Sequence, residues 1–227
     1  MSDEESIVKP LVLQNELAEP PPLRAFAQSL EYQRPPLCPE LGLWLLGDQV
    51  DLESTCLGLG QLHAPPFWAF CWGSGQAMAR FLLDQPEWVR GRRVVDFGTG
   101  SGVAAIAAGL AGADSVMGVD SDPEARVAAA RNAASNEVEL VTSGALPEEW
   151  DVLLACDVLY QPSQWARLQS LAQGGRPVLV SDPERPSSPR FEIAPQARYA
   201  VRTLPDVDSP AKSAAVFQLS NRGFGPG

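Results

Sequence analysis

Val94-Val-Asp-Phe-Gly-Thr-Gly-Ser-Gly102, followed at once by the Ala-rich run Val103 to Leu110, reads as a strand, a glycine loop and a helix. Glycines let a backbone turn sharply and come close to a ligand, and the helix N-terminus behind them offers unpaired N–H groups. Dinucleotide-binding proteins use the same device, with the spacing Gly-x-Gly-x-x-Gly or Gly-x-Gly-x-x-Ala. Here the glycines fall at 98, 100 and 102, and position 103, where that fingerprint needs a third small residue, is Val. Asp96, two residues before the first glycine, would repel a pyrophosphate but suits the cationic amino-acid end of S-adenosylmethionine (SAM). Asp96, Gly98, Gly100 and Gly102 are therefore expected to bind SAM in preference to a nicotinamide dinucleotide.

Downstream of the loop, carboxylates recur where strands end. Gly118-Val-Asp120 closes the next strand, and an acidic side chain about 20 residues after such a loop is placed to accept hydrogen bonds from both ribose hydroxyls. Asp122 competes for that role, but it precedes Pro123 and reads as a helix N-cap. Ser143 and Gly144 follow the third strand, where the chain should pass the adenine ring. The fourth strand runs into Ala155-Cys-Asp-Val-Leu-Tyr160. Asp157 then emerges at the carboxyl end of a central strand, in the crevice where such sheets bind ligands. It is expected to orient or deprotonate an attacking amine, with Tyr160 lining the substrate opening. A capping Asp and a core Tyr are the structural alternative.

Strand and helix patterns alternate through the middle of the chain. Strands are expected at Arg93–Phe97, Ser115–Val119, Glu137–Thr142, Asp151–Ala155 and Pro177–Ser181. Helices are expected at Gly75–Leu83, Gly102–Leu110, Pro123–Ser135 and Ser163–Leu171. Alternation of this kind implies a parallel sheet with helices on both faces. Apolar runs at Tyr199–Thr203 and Ala214–Leu219, with no long helix between, suit an antiparallel pair closing it. The fold class is thus α/β: a Rossmann-like seven-stranded, mostly parallel sheet with an antiparallel C-terminal strand. Residues 1–36 are Pro- and Glu-rich and read as a partly disordered arm with a short helix near Leu23 to Leu30. Residues 37–90 read as an N-terminal extension with a strand near Leu41 to Leu46, and 222–227 as a flexible tail.

Composition narrows the partners. The formal net charge is −11, which repels a phosphate backbone, so nucleic acid is not an expected partner. Cys38, Cys56, Cys71 and Cys156 are widely spaced and form no CxxC pair, so neither a metal site nor a disulfide framework is expected. His63, the only histidine, excludes schemes that need two and lies in a Pro-rich segment that favours a structural role. No apolar run reaches the roughly 18 residues of a membrane span, and the acidic N-terminus is unlike a signal peptide. A cytoplasmic protein with reduced thiols is expected.

Asp96-x-Gly-x-Gly-x-Gly102, Asp120 and Asp157-Val-Leu-Tyr160 together resemble the motif set of the seven-β-strand methyltransferases. Asp-x-x-Tyr after the fourth strand is similar to the signature of the protein-lysine methyltransferases called family 16. Pro65-Pro-Phe-Trp-Ala-Phe-Cys-Trp-Gly-Ser-Gly-Gln76 is similar to a stretch of the electron transfer flavoprotein β-subunit lysine methyltransferases and their bacterial relatives. Pro39-Glu-Leu-Gly-Leu-Trp44 and Val178-Leu-Val-Ser-Asp-Pro183 also look like segments of that family. The resemblance spans about residues 37 to 221. It implies that Trp72 contacts the cofactor, that Ser143 and Cys156 line the adenine pocket, and that the substrate is a protein bearing a target lysine. Departures after Asp157 and beyond Pro183 leave the target open. The other readings are a small-molecule or ribosomal-protein methyltransferase, a SAM-binding interaction protein without catalysis and, weakest, a dinucleotide oxidoreductase. The Asn-Pro-Pro-Tyr motif of amide and adenine methylation is absent, with Ala155-Cys-Asp-Val in its place.

Overall fold

The computed structural model describes residues 29–49, 66–160, 162–186, 188–206 and 213–219. Positions 23–28 of the helix expected near Leu23, together with Cys56, His63, Pro65 and the tail 222–227, lie outside them. Leu30, expected to end that helix, instead opens a strand. β1 (Leu30–Gln33) pairs antiparallel with β2 (Leu43–Leu46), so a hairpin joins the last residues of the expected arm to the extension.

The main body follows the alternation in the sequence. Its elements are α1 (Gly73–Asp84), β3 (Arg93–Phe97), α2 (Val103–Leu110), β4 (Ser115–Val119), α3 (Pro123–Ala134) and β5 (Val141–Ser143). After them come β6 (Val152–Cys156), α4 (Pro162–Gln173), β7 (Val178–Asp182), β8 (Ala197–Ala200) and β9 (Ser213–Leu219). The seven strands β3 to β9 form one sheet, in the order β5-β4-β3-β6-β7-β9-β8. Pairing is parallel from β5 to β7 and antiparallel at β7–β9 and β9–β8.

Strand side chains alternate between the two faces. Val94, Leu154 and Leu179 meet Met78, Phe81 and Leu82 of α1 and Ala104, Ala105 and Ala108 of α2. Val95, Leu153, Val178 and Val180 meet Leu168 and Ala172 of α4 on the other side. A helix packs on each face, as the fold class requires.

One strand is shorter than expected. Glu137 takes a left-handed φ of 58° where α3 ends, and the chain regains ladder pairing only at Val141. Residues 137–140, expected in the strand, carry the chain from the helix end to the sheet edge. α3 itself starts as its sequence dictates: Pro123 needs no amide partner at the first position, and the Asp122 carboxylate accepts the Glu124 amide at 2.8 Å.

Candidate active site

Strand order reverses between β3 and β6: the chain steps from β3 outward through β4 to β5, then returns to β6 and steps the other way. Open α/β sheets bind ligands at the carboxyl ends of the strands at such a reversal. Asp96, Asp120, Asp157 and the glycine loop all lie at those ends.

The loop is held by main-chain bonds. The Gly98 and Thr99 amides donate to the Val119 carbonyl at 2.8 and 3.1 Å, and the Gly102 amide donates to the Thr99 carbonyl at 2.7 Å. Gly98 has φ 75°, and a Cβ there would lie 2.6 Å from Val158 Cγ1, so both conformation and space require glycine. Gly100 differs. Its φ is 50°, but a Cβ would meet nothing nearer than the Gly98 carbonyl oxygen at 4.0 Å. That open side leaves the Gly100 backbone approachable. A buried Asn steadies the loop from behind: Asn132 of α3 donates Nδ2 to the Ser101 carbonyl at 2.8 Å and accepts the Trp44 amide on Oδ1 at 2.7 Å. The hairpin, the helix and the loop are thereby tied together.

Two carboxylates flank this loop in different surroundings. Asp96 is 2% exposed and accepts the Thr99 hydroxyl at 2.8 Å. Burial pushes its carboxyl up to about 6, opposed by Thr99 and the Ala105 amide and reinforced by the charge of Asp120. Asp96 has no ion pair among the described residues. Asp120 accepts the Gly100 amide at 3.1 Å on one oxygen and the Asp122 amide at 3.0 Å on the other. Burial raises its carboxyl, and the two amides pull it down. Each Asp120 oxygen keeps a lone pair, enough for a vicinal diol. A buried carboxyl lacking a cation, an open glycine backbone and a diol acceptor fit the cationic, ribose-bearing SAM.

The remaining cofactor candidates are Trp72, Ser143, whose carbonyl accepts the Asp120 amide, and Cys156, beside Asp96. Trp72 is the N-cap residue of α1; its indole N–H donates to the Phe67 carbonyl at 3.0 Å, and its ring lies 5.4 Å from that of Phe70. The pairing of Cys71 with Leu204 fixes the segment before it, as do Gln76 Nε2 bonds to the Cys71 and Arg202 carbonyls. Ser143 ends β5. Its hydroxyl donates to the Ala145 carbonyl at 2.8 Å, and its carbonyl accepts the Asp120 amide at 3.0 Å. Cys156 ends β6 with a free thiol pushed well up by burial and by the charges of Asp96 and Asp157.

The carboxyl ends of β6 and β7 form the other half. Asp157 has a left-handed φ of 54°, and its amide donates to the Ser181 carbonyl at 3.1 Å. Its carboxylate takes two bonds from Arg185, at 2.5 and 3.2 Å. Asp182, 1% exposed, sits beside it; burial raises its carboxyl to about 6, with Asp157 adding to the rise and Ser188 and Arg185 opposing it. Tyr160 is 73% exposed at the rim, not in the core. Reasoning from sequence missed Asp182, Arg185 and Asn132. Asp182 had a legible signal, because Val180-Ser-Asp182 repeats the Ala155-Cys-Asp157 pattern at the end of the neighbouring strand.

Comparison with known proteins agrees with this geometry. A family model described as Ribosomal protein L11 methyltransferase (PrmA) matches residues 76–161. The electron transfer flavoprotein beta subunit lysine methyltransferase of Xenopus laevis is 36% identical over 170 residues, covering 70% of this chain and 68% of that protein. The human protein of the same name is 35% identical over 136 residues, 55% of this chain and 52% of its own length, so the match spans about half of it. A solved structure from Pyrococcus horikoshii, described as a candidate RNA methyltransferase, superposes with a TM-score of 0.52 at 15% identity, covering 76% of this chain and 98% of that one; it bears on the fold alone. The chain belongs to the electron transfer flavoprotein β-subunit lysine methyltransferase family, and is a SAM-dependent methyltransferase built on a seven-stranded Rossmann-like sheet.

Proposed function

We propose that this methyltransferase modifies lysine side chains of a protein, and that its acceptor is the β-subunit of an electron transfer flavoprotein. The observation that carries this reading is the 36% identity to the Xenopus laevis enzyme over 68% of that enzyme's length. SAM supplies an activated methyl group open to in-line displacement by an amine.

In this reading the chain's own residues hold and orient. Asp120 takes the ribose hydroxyls, and Asp96 takes the cationic amino-acid end. Trp72 and the glycine loop at Gly98, Gly100 and Gly102 enclose the remainder, with Ser143 and Cys156 at the adenine. Asp157 would accept a hydrogen bond from the target amine and orient it toward the cofactor's methyl group. Tyr160 borders the opening through which the lysine enters. A net charge of −11 favours approach of a basic, lysine-bearing surface.

Ribosomal protein L11 is the second reading, favoured by the family model over residues 76–161, the segment that contains the glycine loop, Asp120 and Asp157. Incubation with methyl-labelled SAM and each purified acceptor separates the two. Label on a flavoprotein lysine, mapped by mass spectrometry, supports the proposal. Label on L11 alone, or on neither protein, overturns it.

A further inference from the structure

Asp157 does not stand alone at the crevice mouth. β6 and β7 pair Cys156 with Ser181, so the next residue of each strand is an aspartate, Asp157 beside Asp182. The chain then doubles back after β7. Asp182 Oδ1 accepts the Glu184 amide at 2.6 Å, Glu184 adopts a φ of 53°, and its carboxylate pairs with Arg198 of β8. That turn delivers Arg185 onto Asp157, where its guanidinium meets both carboxylate oxygens. Two non-glycine residues in left-handed backbone, Asp157 and Glu184, lie at the two ends of this one contact. Strained backbone persists where the surroundings over-determine it and clusters at functional sites.

We infer that Arg185 is a positioning residue for methyl transfer: it fixes the plane of the Asp157 carboxylate and neutralises its charge, so that Asp157 receives the target amine without fixing it as an ammonium. The inference rests on the proposed reading of Asp157 as the amine's acceptor. An unpaired, half-enclosed carboxylate would favour the protonated lysine, whose nitrogen has no lone pair to give. Bidentate arginine offsets that attraction and stays charged throughout the working pH range. Each Asp157 oxygen retains a second lone pair for an amine N–H. The amine lone pair then forms the N–C bond, the C–S bond of the cofactor breaks with its electron pair left on sulfur, and the methylammonium releases its proton to water. Among the described residues, the other charged or titratable groups placed near the pair are Asp182 of β7, the Cys156 thiol of β6 and Asp96 of β3, with the Glu184–Arg198 pair on the adjoining turn.

The test compares wild type, Arg185→Gln and Arg185→Lys, each as the full chain. With purified electron transfer flavoprotein as acceptor and saturating SAM, kcat is followed from about pH 6.5 to 9.5. Arg185→Gln should move the acidic limb up by about one pH unit, losing about tenfold at neutral pH and recovering it at high pH. Arg185→Lys should keep the wild-type limb. A uniform loss at every pH in Arg185→Gln would mark Arg185 as structural and overturn the inference. A second readout needs no turnover. Calorimetric titration of the S-adenosylhomocysteine-bound chain with Nα-acetyl-lysine methylamide should show severalfold tighter binding of the ammonium to Arg185→Gln than to wild type. Equal or weaker binding overturns the inference. Failure of wild type to label the flavoprotein, with the calorimetric difference intact, overturns only the substrate reading.

Discussion

Replacing Asp96 by Asn should reshape how stability and cofactor affinity depend on pH. The Asp96 carboxyl is 2% exposed, and burial raises it from 3.8 to about 6. A carboxyl raised in the folded state keeps its proton between about pH 4 and 6, where the unfolded chain has lost it. Its contribution is therefore full below about pH 4 and is lost as pH climbs through 6. A rise of about two pH units, at about 1.36 kcal/mol for each, amounts to about 3 kcal/mol. Asn cannot titrate, so the stability difference, wild type minus variant, should fall by about 3 kcal/mol between pH 4 and 7. The variant still accepts the Thr99 hydroxyl, and any cost from a poorer bond to the Ala105 amide is the same at every pH. Urea unfolding followed by tryptophan fluorescence at constant ionic strength measures the difference directly. SAM sharpens the test, because its cationic end should ionise Asp96. Wild-type affinity should drop by up to about tenfold per pH unit below pH 6, while the variant's stays level. Parallel stability curves for the two proteins across this range would refute the reasoning.

Asp120→Ala should weaken SAM binding by at least about tenfold, since it removes a charged acceptor for the ribose, whereas Asp157→Asn should bind SAM normally and turn over slowly. Calorimetry beside a methyl-transfer assay checks both, and a weakened Kd in the Asp157 variant would move that residue into the cofactor site. Asn132→Ala leaves the Trp44 amide and the Ser101 carbonyl without their partner, and should cost about 2–4 kcal/mol in chemical denaturation. Gly98→Ala combines a φ of 75° with a 2.6 Å approach to Val158, and should lower thermal stability even without cofactor. An unchanged Tm would contradict that geometry.

Much of the fold was legible because the signals were local. The limits of β3 and β4 follow from apolar runs that stop at Asp96-Phe97 and Val119, and α3 begins where Asp122-Pro123 says it should. Failures came where tertiary contacts decide. Glu137-Val-Glu-Leu140 has the polar–apolar alternation of a strand, yet only Val141 to Ser143 reach β4, because the chain leaving α3 first makes a left-handed turn at Glu137. The β1–β2 hairpin has no short two-residue turn to announce it; its second strand is held to α3, where Asn132 accepts the Trp44 amide and Asn136, two residues past the helix end, accepts the Gly42 amide. In the site, the glycine loop and its carboxylates announce themselves by spacing. Arg185 does not, since nothing in Pro183-Glu-Arg185 says that the chain will fold back 28 residues to Asp157.

Along the order β4-β3-β6-β7 each strand carries an aspartate at or just beyond its carboxyl end, Asp120, Asp96, Asp157 and Asp182, with Asp96 set deepest, level with Gly118 and Leu154. One residue type thus recurs along the crevice, and its chemistry is decided by what each copy accepts. Asp120 is tied to two amides and stays half-solvated, which suits neutral hydroxyls. Asp96 is buried with a hydroxyl and an amide but no cation, which leaves it ready for a positive ligand. Asp157 already has its cation in Arg185, which suits a neutral amine. Asp182 is sealed behind that pair, holding the turn from which the arginine comes. A cationic cofactor and an amine that must shed its charge require opposite electrostatics within one crevice. Both arise here from identical side chains, because the loops that follow neighbouring strands carry different partners to them.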